Sequence, residues 1–422
     1  MAFNVRSAGG TTWSTTLGMG FFVAMMAVGY YYNVTFVQLG LTDLGTRILG
    51  LERDVVAGHM AVLAIVTCGA ALTAGLWMRR DARRLTLHAK LRIAFVVVLA
   101  QTLLTAAAAL VGSETAFVAW LVVAGCAIGV GVPATFGLTV DLVPMRQRGA
   151  AAAAVTAIAY FAAPLFSGDW TLGFLMRQML VVMVPGVLAL GVIAFVPLPL
   201  VEGWARQHRD PAFRYGRYAR PGPDGVVRVR GRLMVLIVLM FGVFFIDSLG
   251  FLRLVDTPTY MVGTWQSPEV APRLTIAIAH VIAAVIAGVL YRALGERHLL
   301  TWVFGLFALI HLSYVLGTLM PGAGGGELLA TPILYAIAVS LYTVVAFAIW
   351  ADLSTPETIT VNAALGVAAS AWTATFLSTA LALRWHAEGV PFGDHLRAVE
   401  ALALVFFVAM LVLVVAPRRS AP

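Results

Sequence analysis

The stretch Ala74-Gly75-Leu76-Trp77-Met78-Arg79, followed by Arg84, ends one long apolar run, and Ala287-Gly288-Val289-Leu290-Tyr291-Arg292, followed by Arg297, ends another 213 positions later. A second pair, Asp141-Leu142 and Asp352-Leu353, recurs at an offset of 211. Two unrelated local patterns repeating at half the length of a 422-residue chain imply two copies of one unit.

The composition names the solvent of that unit. At 61% hydrophobic and 11% charged residues, with uncharged runs of about 18 residues or more, the chain is too apolar for a soluble domain and reads as an all-α membrane protein. Twelve spans are expected, at 16–40, 56–78, 91–112, 115–140, 149–166, 174–200, 233–255, 273–291, 299–320, 329–351, 358–383 and 397–416. The fifth is short and the first is long enough to tilt. The polar stretch 201–232 separates an amino-terminal part, 1–200, from a carboxy-terminal part, 233–422. It reads as a solvated basic connector, the alternative being a dock for lipid or a partner protein.

With the amino terminus in the cytoplasm, 21 of the 28 basic residues fall on the inner side, and the positive-inside bias then puts both termini in the cytoplasm of a multi-pass inner-membrane protein. The net charge of +8 therefore reports topology and contact with anionic lipids rather than nucleic-acid binding. The first twelve residues carry no cleavage pattern. Cys68 and Cys126 fall inside spans, which excludes a disulfide framework, and no metal-ligand spacing or cofactor motif is present. Without a phosphate loop or nucleophile triad, the chain does not read as an enzyme.

Six spans, a basic linker, six spans and two inside termini resemble the major facilitator superfamily. The loop Gly75 to Arg84 stands where that family has its basic loop between helices two and three, with Arg79 where an acid is usual and Asp81 as the nearest one. Asp141 to Gly149 is closer to the family's junction between helices four and five. Ala159, Ala163, Pro164, Ser167 and Gly168 resemble its antiporter motif, with small residues replacing three glycines. The arginine that proton-coupled exporters often carry in helix four has no counterpart in Gly125–Gly129. The resemblance implies two pseudo-symmetric six-helix halves that rock about a central site, and a monomer that needs no cofactor.

Charge within the membrane is scarce. Asp247 is the one carboxylate expected well inside a span, where an ionised group is costly unless it is wet or partnered. At ~1.5 Å per residue it lies about as deep as His280 on the next span, and the two are expected to face each other and exchange a proton. The alternative pairs Asp247 with Arg253 and ties His280 to a backbone carbonyl. His311 is expected in a peripheral helix. Tyr30, Asn33, Tyr335, Tyr342, Trp372 and Thr375 fall near the midplane and suit a partly apolar organic substrate, though each could equally serve packing. The repeated loops predict a cytoplasmic gate of surface ion pairs, Arg79 and Arg84 with Asp141, and Arg292 and Arg297 with Asp352.

The leading expectation is a proton-coupled exporter of a small organic molecule. The alternatives are an importer or facilitator of the same fold, and a non-transporting protein that handles a lipid or pigment or assists assembly.

Overall fold

A chain inside hydrocarbon has no water to satisfy its peptide groups, so each long apolar run must pair them within its own helix. The computed structural model describes residues 13–165, 170–219, 229–319 and 330–415, and these form helices and turns with no strand among them. The first six long helices are α1 (Trp13–Tyr32), α2 (Arg53–Arg79), α3 (Leu87–Ala107), α4 (Glu114–Gly137), α5 (Arg148–Leu165) and α6 (Leu172–Phe195). Two short ones follow, α7 (Pro199–Gln207) and α8 (Pro211–Arg214). The remainder are α9 (Arg230–Val255), α10 (Val270–Leu294), α11 (Glu296–Leu319), α12 (Ala330–Asp352), α13 (Thr373–Ala387) and α14 (Phe392–Val415).

Eleven segments among the described residues are long and apolar enough to cross a membrane, one fewer than the twelve expected. The expected fifth span is the difference. Its helix α5 has 18 residues, starts at Arg148 and runs to the edge of the described residues; Ser167 and Gly168 lie outside them. Large apolar side chains such as Val181, Leu188 and Val405 are exposed, as a lipid-facing surface requires.

Local chemistry starts several helices. Thr86, Ser113 and Thr171 each accept a hydrogen bond from the backbone N–H three residues on, at the heads of α3, α4 and α6. Two long spans change their winding. The helix α1 continues as a π-helix over Asn33–Gly40, and a second π-helical stretch, Ala364–Trp372, leads into α13. Wide turns of this kind re-aim side chains and are frequent at functional sites.

The repeated Ala-Gly dipeptide acquires a physical role. A Cβ on Gly75 would lie 2.9 Å from the carbonyl oxygen of Thr360, and one on Gly288 would lie 2.9 Å from that of Gly149 and 2.8 Å from Ala153 Cβ. Each copy therefore marks a place where a helix from one side of the linker meets the backbone of a helix from the other, α2 against 359–364 and α10 against α5. The hydroxyl of Thr360 donates to the Gly75 carbonyl at 3.2 Å, which closes the first crossing.

The described part of the linker is not a solvated connector. Trp204 in α7 is buried, stacks on Phe21 and donates its Nε1–H to the Ser14 carbonyl at 2.8 Å. Phe213 is buried as well. The backbone N–H groups of Gly216 and Tyr218 donate to the carbonyls of Ser354 and Asp352 at 3.0 and 2.8 Å, so the segment is fastened across the end of α12. Its arginines had masked this in the sequence: apolar anchors spaced through a polar run show no periodicity.

Replacing Gly288 by Val should lower the thermal unfolding midpoint of the purified chain, at a cost of about 1–3 kcal/mol, because the obstructing atoms are backbone and cannot move aside cheaply. Gly75→Val should behave alike. Gly186→Val is the control, since nothing lies within 4 Å of a Cβ there, and its midpoint should not fall.

Candidate functional site

The long helices bring an aromatic and polar cluster to the middle of the molecule. Asp247, in the middle of α9, accepts a hydrogen bond at Oδ1 from the Tyr335 hydroxyl at 2.7 Å and another at Oδ2 from the Tyr342 hydroxyl. Tyr335 and Tyr342 are seven residues apart, two turns of α12, so one helix face delivers both hydroxyls. The Tyr335 hydroxyl is also 2.9 Å from the carbonyl oxygen of Asp247. Among the described residues no lysine, arginine or histidine pairs with this carboxylate, and Arg253 is instead bonded to His386 and to the Val390 carbonyl.

His280 does not face Asp247. Its Nδ1 is 3.0 Å from the Ser340 hydroxyl, which itself donates to the His280 carbonyl at 3.1 Å. With the serine proton so used, the hydrogen-bond network assigns Nδ1 as the donor and Nε2 as the lone-pair nitrogen. The imidazole lies flat against the Tyr160 ring, centroids 4.2 Å apart, and Tyr160 shares a 2.8 Å hydrogen bond with Tyr30. Rise along a helix gives height alone; rotation about each helix axis sets the partners, and these two groups have different ones.

Two cavities occupy this region. The first, of about 60 Å³, is lined by Asp247, His280, Tyr335, Tyr342 and Thr375 among others, and the second, of about 100 Å³, by Asn33, Phe136, Phe347 and Trp350 among others. Tyr30, Phe244 and Trp372 line both and form the wall between them. All six residues singled out for substrate contact thus line a cavity, Asn33 only the second. Two π-helical stretches contribute: Asn33, Val34 and Gln38 from one, Val367, Ala371 and Trp372 from the other. Of the antiporter-like motif, Ala159 is buried in α5, and its neighbour Tyr160 is the residue that reaches the cavity. His311 is buried in α11, its ring centroid 6.2 Å from that of Tyr335.

The gate pairs expected from the loops do not form. Asp141 is fully buried, takes the Lys90 ammonium at 2.7 Å on Oδ2 and meets His208 of the linker at Oδ1. Asp352 is also buried and is held by Arg148 at 3.1 Å and the Tyr291 hydroxyl at 2.9 Å. Arg148 reaches on to the Phe213 carbonyl at 2.7 Å. Arg84 instead lies over the Trp77 ring and 3.7 Å from Asp81, while Arg79, Arg292 and Arg297 are exposed. Both acids are buried, where a charge needs a buried partner. Slender Lys90 was the available signal, the chain's single lysine among 27 arginines.

This geometry changes the energetics. A surface pair contributes about 0–1 kcal/mol, whereas removing one partner of a buried pair strands a charge and costs about 3–5 kcal/mol. Lys90→Met should therefore destabilise the chain strongly in thermal or denaturant unfolding, and Lys90→Met with Asp141→Leu should recover much of the loss. A single variant as stable as wild type would mean the pair is not buried in solution.

No family model matches the sequence, and no curated protein matches it. Solved structures do. The human organic anion transporter MFSD10 (TETRAN) superposes with a TM-score of 0.61 at 14% identity, covering 94% of this chain and 99% of its own. The proton:xylose symporter XylE, from E. coli, bound to 6-bromo-6-deoxy-D-glucose gives 0.62 at 15%, covering 96% and 95%. A bacterial homologue of the iron transporter ferroportin in its outward-facing state gives 0.61 at 14%, covering 94% and 98%. The chain is a multi-pass membrane protein. Its fold is that of the major facilitator superfamily.

Proposed function

We propose that this chain is a proton-coupled secondary transporter of the inner membrane that exports a small, partly apolar organic molecule by alternating access. In this reading α5 completes twelve spans, residues 1–200 and 233–422 are the two six-helix halves, and the linker face, with both termini, is cytoplasmic. The close crossings at Gly75 and Gly288 are then the bearings between the halves.

One observation carries the proposal. Asp141, Glu296 and Asp352 are buried and each is paired with Lys90, Arg232 or Arg148, whereas Asp247 meets two tyrosine hydroxyls and, among the described residues, no base. A carboxylate with a basic partner is a structural fixture. One that faces a cavity with hydroxyl partners can take up and release a proton without breaking an ion pair, and each state leaves the tyrosines a partner. His280, with Nε2 as the lone-pair nitrogen and Tyr160 stacked on it, lines the same cavity and is the second proton-handling group. The fold supports transport, since its similar structures include transporters of an organic anion and of xylose. Export rests on the antiporter-like run Ala159, Ala163, Pro164, Ser167 and Gly168 in the sequence.

Reconstituted into proteoliposomes and offered a panel of small organic compounds, the wild type should accumulate its substrate when a pH gradient is imposed. Asp247→Asn should abolish that accumulation while leaving exchange of substrate across the membrane, and His280→Ala should shift its pH dependence. Accumulation by Asp247→Asn at the wild-type level would remove the proton role. Flux that ignores the gradient would make the chain a facilitator.

A further inference from the structure

The second cavity differs in chemistry from the one that holds Asp247. Among its 21 lining residues there is no Asp, Glu, Lys, Arg or His. Met25 and Met26, Phe136, Phe347, Trp350 and Trp372 supply soft and aromatic walls, with Phe136 stacked on Phe347 at 5.9 Å and Tyr30 edge-on to Phe347 at 5.2 Å. The threonines are already engaged: Thr135 donates to the Gly131 carbonyl and Thr343 to the Val339 carbonyl. The half-buried Gln101 amide also lines the cavity, and two fully enclosed atoms have no partner. The indole Nε1–H of Trp350 and the amide Oδ1 of Asn33 are buried with no partner, although the Asn33 Nδ2 donates to the Gly29 carbonyl at 2.7 Å. Trp350 is wholly buried and Asn33 is 7% exposed.

A buried donor and a buried acceptor left unpaired are costly to keep, so their presence in one cavity indicates what completes it. A ligand would offer an acceptor to Trp350 and a donor to Asn33. A charged group would lose its hydration here and meet no counter-charge. The free space, about 100 Å³, falls short of the ~150 Å³ that takes benzene; two flexible methionines in the wall can supply the difference.

Building on the transport reading, we propose that this cavity is the substrate compartment, and that it takes an uncharged, flat, ring-sized molecule bearing both a hydrogen-bond acceptor and a donor, as a carboxamide does. The proton and the substrate then occupy separate compartments, divided by Tyr30, Phe244 and Trp372.

The probe is benzamide, compared with benzoate, benzylammonium and toluene, with binding to the full-length chain in detergent measured by calorimetry without any gradient. Benzamide should bind about tenfold more tightly than each of the others. Trp350→Phe, which keeps a ring and removes the N–H, and Asn33→Leu, which removes the acceptor, should each weaken benzamide about tenfold. The two variants are independent, so loss of folding in one leaves the other decisive. Equal binding of benzoate or benzylammonium, wild-type affinity in both variants, or no benzamide binding at millimolar concentration would overturn the assignment. The two readings fail separately. Benzamide binding that needs both groups, without gradient-driven flux, keeps this site and removes transport, whereas gradient-driven flux of other compounds without benzamide binding does the reverse.

Discussion

Backbone has to touch backbone where the two copies of the Ala-Gly dipeptide lie, and the rest of the molecule is arranged around those contacts. Lipid tails are as apolar as leucine, so helices in a membrane gain little from burying apolar side chains and depend on close packing and internal polar contacts. Gly75 and Gly288 let α2 and α10 approach carbonyl oxygens of partner helices at distances that a side chain would forbid. With those crossings fixed, α5 and the 359–372 stretch lie side by side with α10 and α2, and the residues they carry, Tyr160 and Trp372, are delivered to the centre.

Charge is then distributed by what can be matched. Toward the linker face, Lys90, Arg148 and Arg232 each neutralise a buried acid, and the linker adds His208, the Phe213 carbonyl and the Tyr218 hydroxyl to the same clusters. Burial and the neighbouring Glu296 push the Tyr218 hydroxyl up to about 12, so it remains a donor at any physiological pH. The linker is thus part of the closure at that end. In the middle of the molecule the rule changes: Asp247 has hydroxyls for company, and the adjoining cavity has no charge at all.

Several of these features could be read directly from the chain. The apolar runs gave most of the helices to within a few residues, because a membrane leaves a peptide no alternative; the first runs on to Ile48 instead of ending at 40. The 213-residue repeat announced the duplicated motif, and the isolation of Asp247 and His280 in apolar surroundings marked both as residues of the central cavity. Tyr30, Tyr335, Tyr342, Trp372 and Thr375 share that cavity because residues at similar depth on neighbouring spans have few other places to go.

The sequence by itself determined the solvent, most of the helices and the duplicated motif, since these follow from hydropathy and from the repeat in the chain. Tertiary structure alone decided who meets whom. It turned Asp247 toward two tyrosines instead of His280, gave Asp141 to Lys90 and His208 instead of Arg79 and Arg84, widened two helices into π turns, and set Trp350 and Asn33 in a charge-free cavity. The physical reason is that rise along a helix is set by the backbone and is common to every sequence, whereas rotation about its axis is settled by packing against neighbours far away in the chain.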